Sequence, residues 1–472
     1  MALDRVRALR IPKRRSSRRV EPSAFNLCRD RGTNFSYSAR SSVLASSVHY
    51  PARRILSNLN WAVLGAYYVF IFSIPFQTAN VFLSGVGSIS RLTGYLFVMI
   101  TAVKPRLCYK RPSRAFWFFG IYLVVFVYSG LFATGTSWVS YNWIYTLTLI
   151  QLLLLFWVSS SLLRHNSRVI RQTLWTFASA CVLLAVSMVV GLTSELAVQD
   201  RETALDANPN SIAMVLMLGL LAQVGLAYGR EETSRTARTC FWLFSPFLFL
   251  GLIRTGSRGA IVALLAGLLV FPIKRANVVA RVRLALVMVL LLAFVAITSQ
   301  SIGSVSDRWR RTFAEGDTAG RDEIFSLGWG MFLEKPVLGW GPVSHQAVLG
   351  SRLGSRFGLG GPRDFHNLYL HILTEVGLAG AVPFFLAILI CWRSAWRARN
   401  NIQGILPMAM VLSLLVVSMV LTTMDNKLLW LVFAYASASG TYPPLAVRSR
   451  QRSPLVSNFR AQTLAIATSQ KP

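Results

Sequence analysis

Charged residues are scarce in this chain, and acidic residues are the scarcest of them. Only 14% of the 472 residues are charged, whereas 54% are hydrophobic, and the mean hydropathy is +0.49. This composition is too apolar for a soluble multidomain protein of this length. It predicts a polytopic membrane protein with the lipid bilayer as its immediate surroundings.

The shortage of acidic residues leaves 49 Lys and Arg against 18 Asp and Glu, a net charge of +31. A nucleic-acid-binding protein concentrates such charge on a soluble domain. Here the basic residues stand in short segments between apolar runs, so no nucleic-acid partner is expected. The five cysteines fall in apolar or predicted cytoplasmic segments and show no disulfide or zinc spacing.

Several motifs that would indicate a cofactor are missing. The chain has no Walker A loop, so we do not expect it to use ATP hydrolysis as an energy source. Its predicted outward loops contain no Asp-x-Asp pair, no His-x-x-x-His and no carboxylate cluster of the kind that holds a divalent metal. We therefore expect no cofactor and no metal, and chemistry carried by arginine and histidine.

The two ends of the chain lack long apolar runs. Residues 1–54 contain thirteen Lys or Arg and no signal-peptide core, which predicts a basic, disordered cytoplasmic tail. The tail is either solvated or lies on anionic lipid. Residues 446–472 predict a second basic cytoplasmic tail. Between the tails, residues 55–445 are predicted to form the membrane domain.

Apolar runs long enough to cross a bilayer recur along this domain. They predict an all-α protein with about twelve transmembrane helices, near 56–76, 86–103, 115–133, 143–163, 172–191, 209–229, 239–253, 258–273, 283–299, 368–391, 404–424 and 428–444.

The distribution of charge orients these spans, because cytoplasmic loops carry the excess of Lys and Arg. With both termini in the cytoplasm, the inward segments hold 36 of the 49 basic residues and 5 of the 18 acidic ones. A missed span would reverse every later segment, so an even number of spans is predicted. Residues 300–366 then form one long periplasmic loop with short helices, for example over 324–333. A loop of this length is usually functional.

Arg258 begins the span that follows segment 256–260, GSRGA. Ser257 is a candidate N-cap, and the free N–H groups, the helix dipole and the guanidinium would together suit an anion. Arg254 lies four residues earlier as a supporting position. The alternative is an interfacial arginine that reaches lipid headgroups. Arg321, in the long loop, has its own alternative in a surface salt bridge to a neighbouring acid.

His366 stands at the outer mouth of the tenth predicted span. An imidazole beside an anion site is suited to act as a general base on a hydroxyl. The alternative is a polar helix start in which His366 or Asn367 caps free N–H groups. His371 and Glu375 share a helical face and can pair. Because Glu375 lies inside an apolar span, it should face an internal cavity rather than lipid.

The order of these motifs resembles the O-antigen ligase and polymerase superfamily. The matching segments are GSRGA at 256–260, Arg321, PVLGWG at 336–341, HNLYL at 366–370 and EVGLAG at 375–380, with Asn210 in a further Asn-containing motif at 208–210. The superfamily comprises O-antigen ligases, Wzy-type O-antigen polymerases and ExoQ-type exopolysaccharide polymerases.

The resemblance implies a GT-C-like, metal-independent glycosyltransferase of the cell inner membrane. Its donor would be an undecaprenyl-diphosphate-linked glycan, and its acceptor a glycan chain or the lipid A core, with other polysaccharide-assembly membrane proteins as further partners. Arg258 and Arg321 would grip the diphosphate and His366 would act as base, with Arg254, Asn210, Asn367, His371 and Glu375 as supporting positions. Polymerase is favoured over ligase, because the long loop shows nothing dedicated to a core oligosaccharide.

A transporter or a lipid-linked oligosaccharide flippase is the alternative from another functional class. Such proteins show inverted repeats and ionisable residues at mid-membrane. This sequence shows no repeat, and nearly all its charges lie at the predicted membrane edges. A purely structural membrane protein would leave the arginine and histidine pattern of the long loop unexplained.

Overall fold

The computed structural model describes residues 50–77, 88–132, 139–197, 201–228, 235–271, 320–354 and 361–444, and five single positions between 279 and 314. The chain separates into two compact units, Met1–Leu56 and Ser57–Pro472. Nearly all elements given below belong to the second unit. The predicted span at 283–299 and most of both predicted tails lie outside the described residues.

Helices make up most of the described chain. In order they are α1 Tyr50–Ser73, α2 Ile89–Ala102, α3 Pro105–Cys108, α4 Arg114–Leu131, α5 Val139–Leu163, α6 Ser167–Val189, α7 Pro209–Tyr228, α8 Arg235–Arg254, α9 Arg258–Leu269, α10 Arg321–Glu334, α11 Ser344–Leu353, α12 Leu368–Ala398, α13 Leu406–Val417 and α14 Lys427–Ser439. A 3₁₀ turn, Ile74–Phe76, follows α1.

Six of these helices are long and apolar enough to cross a membrane: α4, α5, α6, α7, α8 and α12. Shorter apolar helices occupy 61–76, 89–102, 258–269, 406–417 and 427–439. Together they match eleven of the twelve predicted spans, and the remaining one is outside the described residues. A polytopic helical membrane protein is confirmed, while the number twelve stays a prediction.

A β-hairpin between α6 and α7 departs from the all-α expectation. Strands β1 Ser194–Ala197 and β2 Arg201–Ala204 pair antiparallel, with Ser194 opposite Ala204. Each strand has only four residues, too short for an alternating pattern to stand out in the sequence. The acidic residues expected in this outward loop, Glu195 and Glu202 among them, belong to the hairpin.

An aromatic cluster in the core joins helices that are distant in sequence. Phe119 of α4 lies against Phe156 of α5, Phe384 of α12, and Trp430 and Phe433 of α14, with ring centroids 4.9 to 5.9 Å apart. Helix α12 packs against α4, and α9 packs against α13. This packing fixes the ends of α4, α12 and α14 relative to one another.

Helix α12 is broken at Gly377, whose φ of 59° and ψ of −163° are not helical. The break frees backbone groups that the preceding loop, 336–341, satisfies. The N–H groups of Trp340 and Gly341 donate to the carbonyls of Thr374 and Glu375, at 2.8 and 2.9 Å. In return, the N–H groups of 378 and 379 donate to the carbonyls of 336 and 337, at 2.8 and 3.0 Å. Broken helices are tolerated in membrane proteins when other backbone satisfies them in this way.

Candidate functional site

A cavity of about 870 Å³ lies where α2, α5, α12 and α14 meet the loops before α11, α12 and α14. Its volume is in the range of small-molecule and cofactor sites, which is roughly 300–1,000 Å³. The ionisable residues of its wall are Arg91, Asp206, His345, Asp364, His366, His371, Glu375, Asp425 and Lys427. These residues come from distant parts of the sequence, and the charge pattern placed all of them in outward segments or at outward helix ends.

His366 stands directly before α12 in a left-handed backbone conformation, with φ of 51°. For a residue other than glycine such a conformation costs about 1–3 kcal/mol, and its neighbours must hold it. Asn367 does so as the N-cap, because its Oδ1 accepts from the N–H groups of 369 and 370 at 3.0 and 3.1 Å. The N–H of Leu368 donates to the carbonyl of Ser418 at 2.9 Å. The capping alternative is therefore correct for Asn367, which frees the His366 side chain for another role.

Asp364 is the partner of His366 that sequence reasoning missed. The His366 Nδ1 lies 3.2 Å from Asp364 Oδ2, and the His366 side chain is 40% exposed. A carboxylate can only accept, so this contact favours the tautomer with its proton on Nδ1 and leaves Nε2 as the basic nitrogen. The only signal in the sequence was an acidic residue two positions before the histidine.

Two interactions keep the Asp364 carboxylate ionised and oriented. Burial by itself would raise its pKa, but His366 and His371 beside it lower the pKa of Asp364 well below its usual range. The Thr422 hydroxyl donates to its Oδ1 at 2.7 Å. An ionised, fixed carboxylate next to a half-exposed imidazole is the arrangement that orients a general base and stabilises the imidazolium formed when the base takes a proton.

Behind this pair lies a buried polar network. His371 Nδ1 is 3.8 Å from Asp364 Oδ1, and His371 Nε2 is 3.6 Å from Glu375 Oε1. The Tyr122 hydroxyl donates to the other Glu375 oxygen at 3.1 Å. Glu375 is 4% exposed and contributes to the cavity wall, which confirms the expectation of an internal cavity rather than lipid.

His345 completes the network and was not singled out in the sequence. Its Nε2 lies 3.3 Å from His371 Nδ1, and its Nδ1 lies 3.1 Å from the carbonyl of Gly341, which can only accept. Burial, aided by His371, lowers the pKa of His345 to about 4. His345 is therefore neutral at pH 7, with its proton on Nδ1 and its Nε2 accepting from His371.

His345, His371 and Glu375 are also a group that could hold a metal ion, since their ligand atoms all lie within 4.8 Å of one another. Two imidazoles and a carboxylate occur together in catalytic zinc sites. In this protein Tyr122, Gly341 and the cluster's own members already provide partners for these atoms. These contacts join the three residues in one polar network.

Arg258 and Arg321 lie close to each other, although they are far apart in sequence. Each begins a helix, α9 and α10 respectively. Burial, and the neighbouring charge of Arg258, lower the pKa of Arg321. Ser257 occupies the N-cap position of α9, but its side chain makes no capping bond. Neither arginine belongs to the cavity wall formed by the described residues.

Packing connects this arginine pair to the histidine. Gly259, next to Arg258, packs against Val420. Val420 is two residues before Thr422, which bonds Asp364. The start of α9, which carries Arg258, therefore packs against the segment that contains Thr422.

Arg254 and Asn210 take part in a group of side-chain contacts that hold the hairpin. Arg254 Nη1 lies 3.5 Å from Glu202 Oε2. Arg201 donates to the carbonyl of Thr255 at 2.9 Å and to Asn210 Oδ1 at 2.8 Å. These bonds tie β2 to the end of α8 and the start of α7, just before Arg258. Their predicted supporting role in binding stays a prediction.

The O-antigen ligase family model matches residues 241–385. This segment of the chain is similar to the O-antigen ligase family. Arg258, Arg321 and His366 all fall inside the match, so the resemblance seen in the sequence motifs is confirmed. A search of curated proteins found no match to the chain.

The segment that matches the O-antigen ligase family holds only part of the site. The match begins within α8 and ends within α12, and it includes His345, Asp364, His371 and Glu375. Parts of the chain beyond the match complete the cavity and the network, among them Tyr122 and Thr422, and the cations Arg91 and Lys427.

Proposed function

We propose that this chain is a metal-independent glycosyltransferase of the inner membrane that acts on its periplasmic side. The donor is an undecaprenyl-diphosphate-linked glycan. The acceptor is a second glycan chain in the favoured polymerase reaction, or the lipid A core in a ligase reaction. Both reactions serve the biosynthesis of O-antigen or exopolysaccharide.

The Asp364–His366 pair is the observation that carries this proposal. It combines an ionised carboxylate, a half-exposed imidazole and a strained backbone on the wall of a large cavity, inside the region matched by the O-antigen ligase family. Strained backbone concentrates at functional sites. The nearby pair of arginines supplies the positive charge that a diphosphate leaving group requires.

The proposed reaction is a single displacement. His366 Nε2 takes the proton from the acceptor hydroxyl, and the hydroxyl oxygen forms a bond to the anomeric carbon of the donor. The bond from that carbon to the diphosphate oxygen breaks, and undecaprenyl diphosphate leaves with the electron pair. Arg258 and Arg321 stabilise the charge on the departing diphosphate, and Asp364 stabilises the imidazolium. The histidine then returns its proton to water in the cavity.

Glycan transfer in proteoliposomes tests this function. The wild-type protein is supplied with an undecaprenyl-diphosphate oligosaccharide and compared with His366→Ala, Arg258→Ala and Arg321→Ala at equal amounts of folded protein. Loss of a general base lowers the rate by about 10²–10⁴-fold. We expect all three variants to lose transfer and the wild type to work in the presence of a chelator.

Matched controls are His165→Ala, an exposed histidine after α5, and Arg393→Ala, an exposed arginine at the other end of α12. Both should keep wild-type activity. Full activity of His366→Ala would remove the proposed base. Activity that a chelator abolishes would show a metal, with His345, His371 and Glu375 as its candidate ligands. Products of many repeats indicate a polymerase, and a single transfer to lipid A core indicates a ligase.

A further inference from the structure

Two cations of the cavity wall have no role in the reaction proposed above. Arg91 lies in the first turn of α2, and Lys427 is the first residue of α14. Both line the cavity that contains His366. The Lys427 Nζ donates to the hydroxyl of Ser90 at 3.0 Å, so the starts of the two helices are joined at this point.

Both cations stand at the electrostatically unfavourable end of a helix. A helix N-terminus carries partial positive charge and stabilises anions, whereas cations belong at the C-terminus. Here two positive helix ends and two positive side chains converge on one wall. Burial and then the charge of Arg91 disfavour the charged form of Lys427, whereas Asp425 favours it. Such violations of local preference are expected at functional sites.

The charge of the pair is not neutralised by a direct ion pair. Among the described residues no carboxylate forms an ion pair with Arg91 or Lys427, although Asp206 and Asp425 also line the cavity. By contrast, Arg254 and Arg352 are paired with Glu202 and Glu334. Arg91 is exposed, and Lys427 is partly exposed, so both are accessible to a molecule in the cavity.

We propose that Arg91 and Lys427 form an anion subsite that binds an acidic sugar of the acceptor glycan. The anionic group is a carboxylate or phosphate carried by the sugar. The inference rests on the proposed function and extends it, because it assigns an acidic acceptor to the enzyme and separates that subsite from the diphosphate site at Arg258 and Arg321.

Position favours the acceptor over the donor as the occupant. Arg91 and Lys427 share the cavity wall with His366, the base that acts on the acceptor hydroxyl. Lys427 follows Thr422, the partner of Asp364, by five residues, so their Cα atoms are at most about 18 Å apart. An acceptor of a few sugars can therefore place its hydroxyl at His366 and its acidic group at the cation pair.

Binding to purified protein in nanodiscs tests the subsite without requiring transfer. The probes are trigalacturonate, its carboxyl-reduced neutral trisaccharide and inorganic pyrophosphate, each measured by calorimetry. Arg91→Gln and Lys427→Gln should each weaken the binding of trigalacturonate about tenfold or more, because each removes a charge-assisted hydrogen bond. The same variants should bind the neutral trisaccharide and pyrophosphate as the wild type does.

Three further variants make the result specific. Lys427→Arg keeps the charge and should retain trigalacturonate binding, which guards against a folding defect in Lys427→Gln. Arg258→Gln should weaken the binding of pyrophosphate and leave the binding of trigalacturonate unchanged. Arg393→Gln should change neither.

The proposal is overturned if the wild type binds trigalacturonate no better than the neutral trisaccharide. It is also overturned if neither Arg91→Gln nor Lys427→Gln weakens the binding of trigalacturonate. It is also overturned if Arg91→Gln and Lys427→Gln weaken pyrophosphate instead, because the cations would then serve the donor. Absence of transfer together with the expected binding pattern would refute the glycosyltransferase function while leaving the anion subsite in place.

Discussion

At the scale of single residues, the Asp364–His366 contact is the feature that suits His366 to the proposed role of base. The carboxylate selects the tautomer, and Thr422 fixes the carboxylate. His371, which the sequence indicated only as a partner of Glu375, also lies beside Asp364 and bridges the surface pair to the buried network. The network therefore holds the side chain that we propose as the base.

Asp364→Asn should lower the rate of glycan transfer by about 10²–10⁴-fold, because an amide neither stabilises the imidazolium nor selects the same tautomer. The rate is measured at saturating donor in proteoliposomes. Thr422→Val is the matched control, since it removes one hydrogen bond to Asp364 and keeps the carboxylate. The rate of Thr422→Val should fall by less than tenfold, because the variant loses only one hydrogen bond. A wild-type rate in Asp364→Asn would rule out this role.

His345 should make the protein less stable in acid. Its pKa is about 4 in the folded protein and roughly 6.5 when unfolded, so below pH 6.5 the unfolded state takes up the proton first. Stability from this group is complete above pH 6.5 and is lost as the pH falls toward 4, by about 2 kcal/mol between pH 7 and pH 5. Asp364 adds almost nothing in this window, because it is ionised in both states. Its pKa is lowered in the folded protein, and the ordinary pKa of an aspartate in the unfolded chain is about 3.9.

Thermal melting in detergent at pH 7, 6 and 5 checks this prediction. The melting temperature of the wild type should fall more steeply with decreasing pH than that of His345→Gln, whose side chain does not titrate. His371, Glu375 and Asp364 face His345 in both proteins and act as a common background. Parallel pH profiles for the two proteins would contradict the assignment.

At the scale of elements, the break in α12 and the loop at 336–341 form one structural unit. Four backbone hydrogen bonds join them, and the Ser129 hydroxyl of α4 adds a fifth bond to the carbonyl of Leu338 at 2.7 Å. The unit explains why two glycine-containing segments occur on either side of the histidine motif. It holds Glu375 beside the cavity and places His345 at the start of α11.

Gly377→Ala and Gly339→Ala should each prevent normal folding or lower the stability by about 3 kcal/mol or more. Both positions have positive φ, 59° and 68°, which strains any other residue. A Cβ would also collide with backbone, that of Val337 from position 377 and that of Glu375 from position 339. The yield of monodisperse protein and its melting temperature are the measurements.

Gly330→Ala is the control within the same region. It lies inside α10 with open space around its Cβ position, so alanine should be neutral or stabilising by up to about 1 kcal/mol. Equal behaviour of all three alanine variants would show that the joined loop and helix break do not depend on these glycines.

At the scale of the whole molecule, the cavity is assembled from helices spread over most of the described chain. Its wall includes Ser88 and the first ten residues of α2, the first half of α5, the start of α12 and the start of α14. The charge pattern predicts that these ends face the periplasm. The cavity then opens on the side where lipid-linked glycans are used in the proposed reaction.

Cysteine labelling tests this orientation. In a background with Cys28 and Cys240 changed to Ser, Ser351→Cys on α11 should react with a membrane-impermeant maleimide in intact spheroplasts. Arg397→Cys, at the opposite end of α12, should react only after permeabilisation. Both positions are exposed in the structure, so a difference in labelling reports the side of the membrane. The reverse pattern would place the cavity in the cytoplasm.

The sequence by itself determined that the protein is a polytopic helical membrane protein, where its apolar helices lie, and which superfamily its motifs resemble. Hydrophobic run length and the bias of basic residues are local properties, so they can be read without coordinates. The motif around His366 was equally local, since its residues are nearly consecutive. The N-cap role of Asn367 is also local, because its partners are the next few residues of α12.

Only the tertiary structure decided which residues meet. The contact of His345 with His371 joins two loop-separated helices, and the bond from Tyr122 to Glu375 joins residues that are 253 positions apart. Lys427 donates to Ser90 from the opposite end of the domain. No local pattern records such partners, because packing between helices, rather than spacing along one of them, brings the groups together. The break of α12 was also decided by tertiary structure. The glycines in the sequence indicated a turn, but they did not show that the loop at 336–341 provides the hydrogen-bond partners of the broken helix.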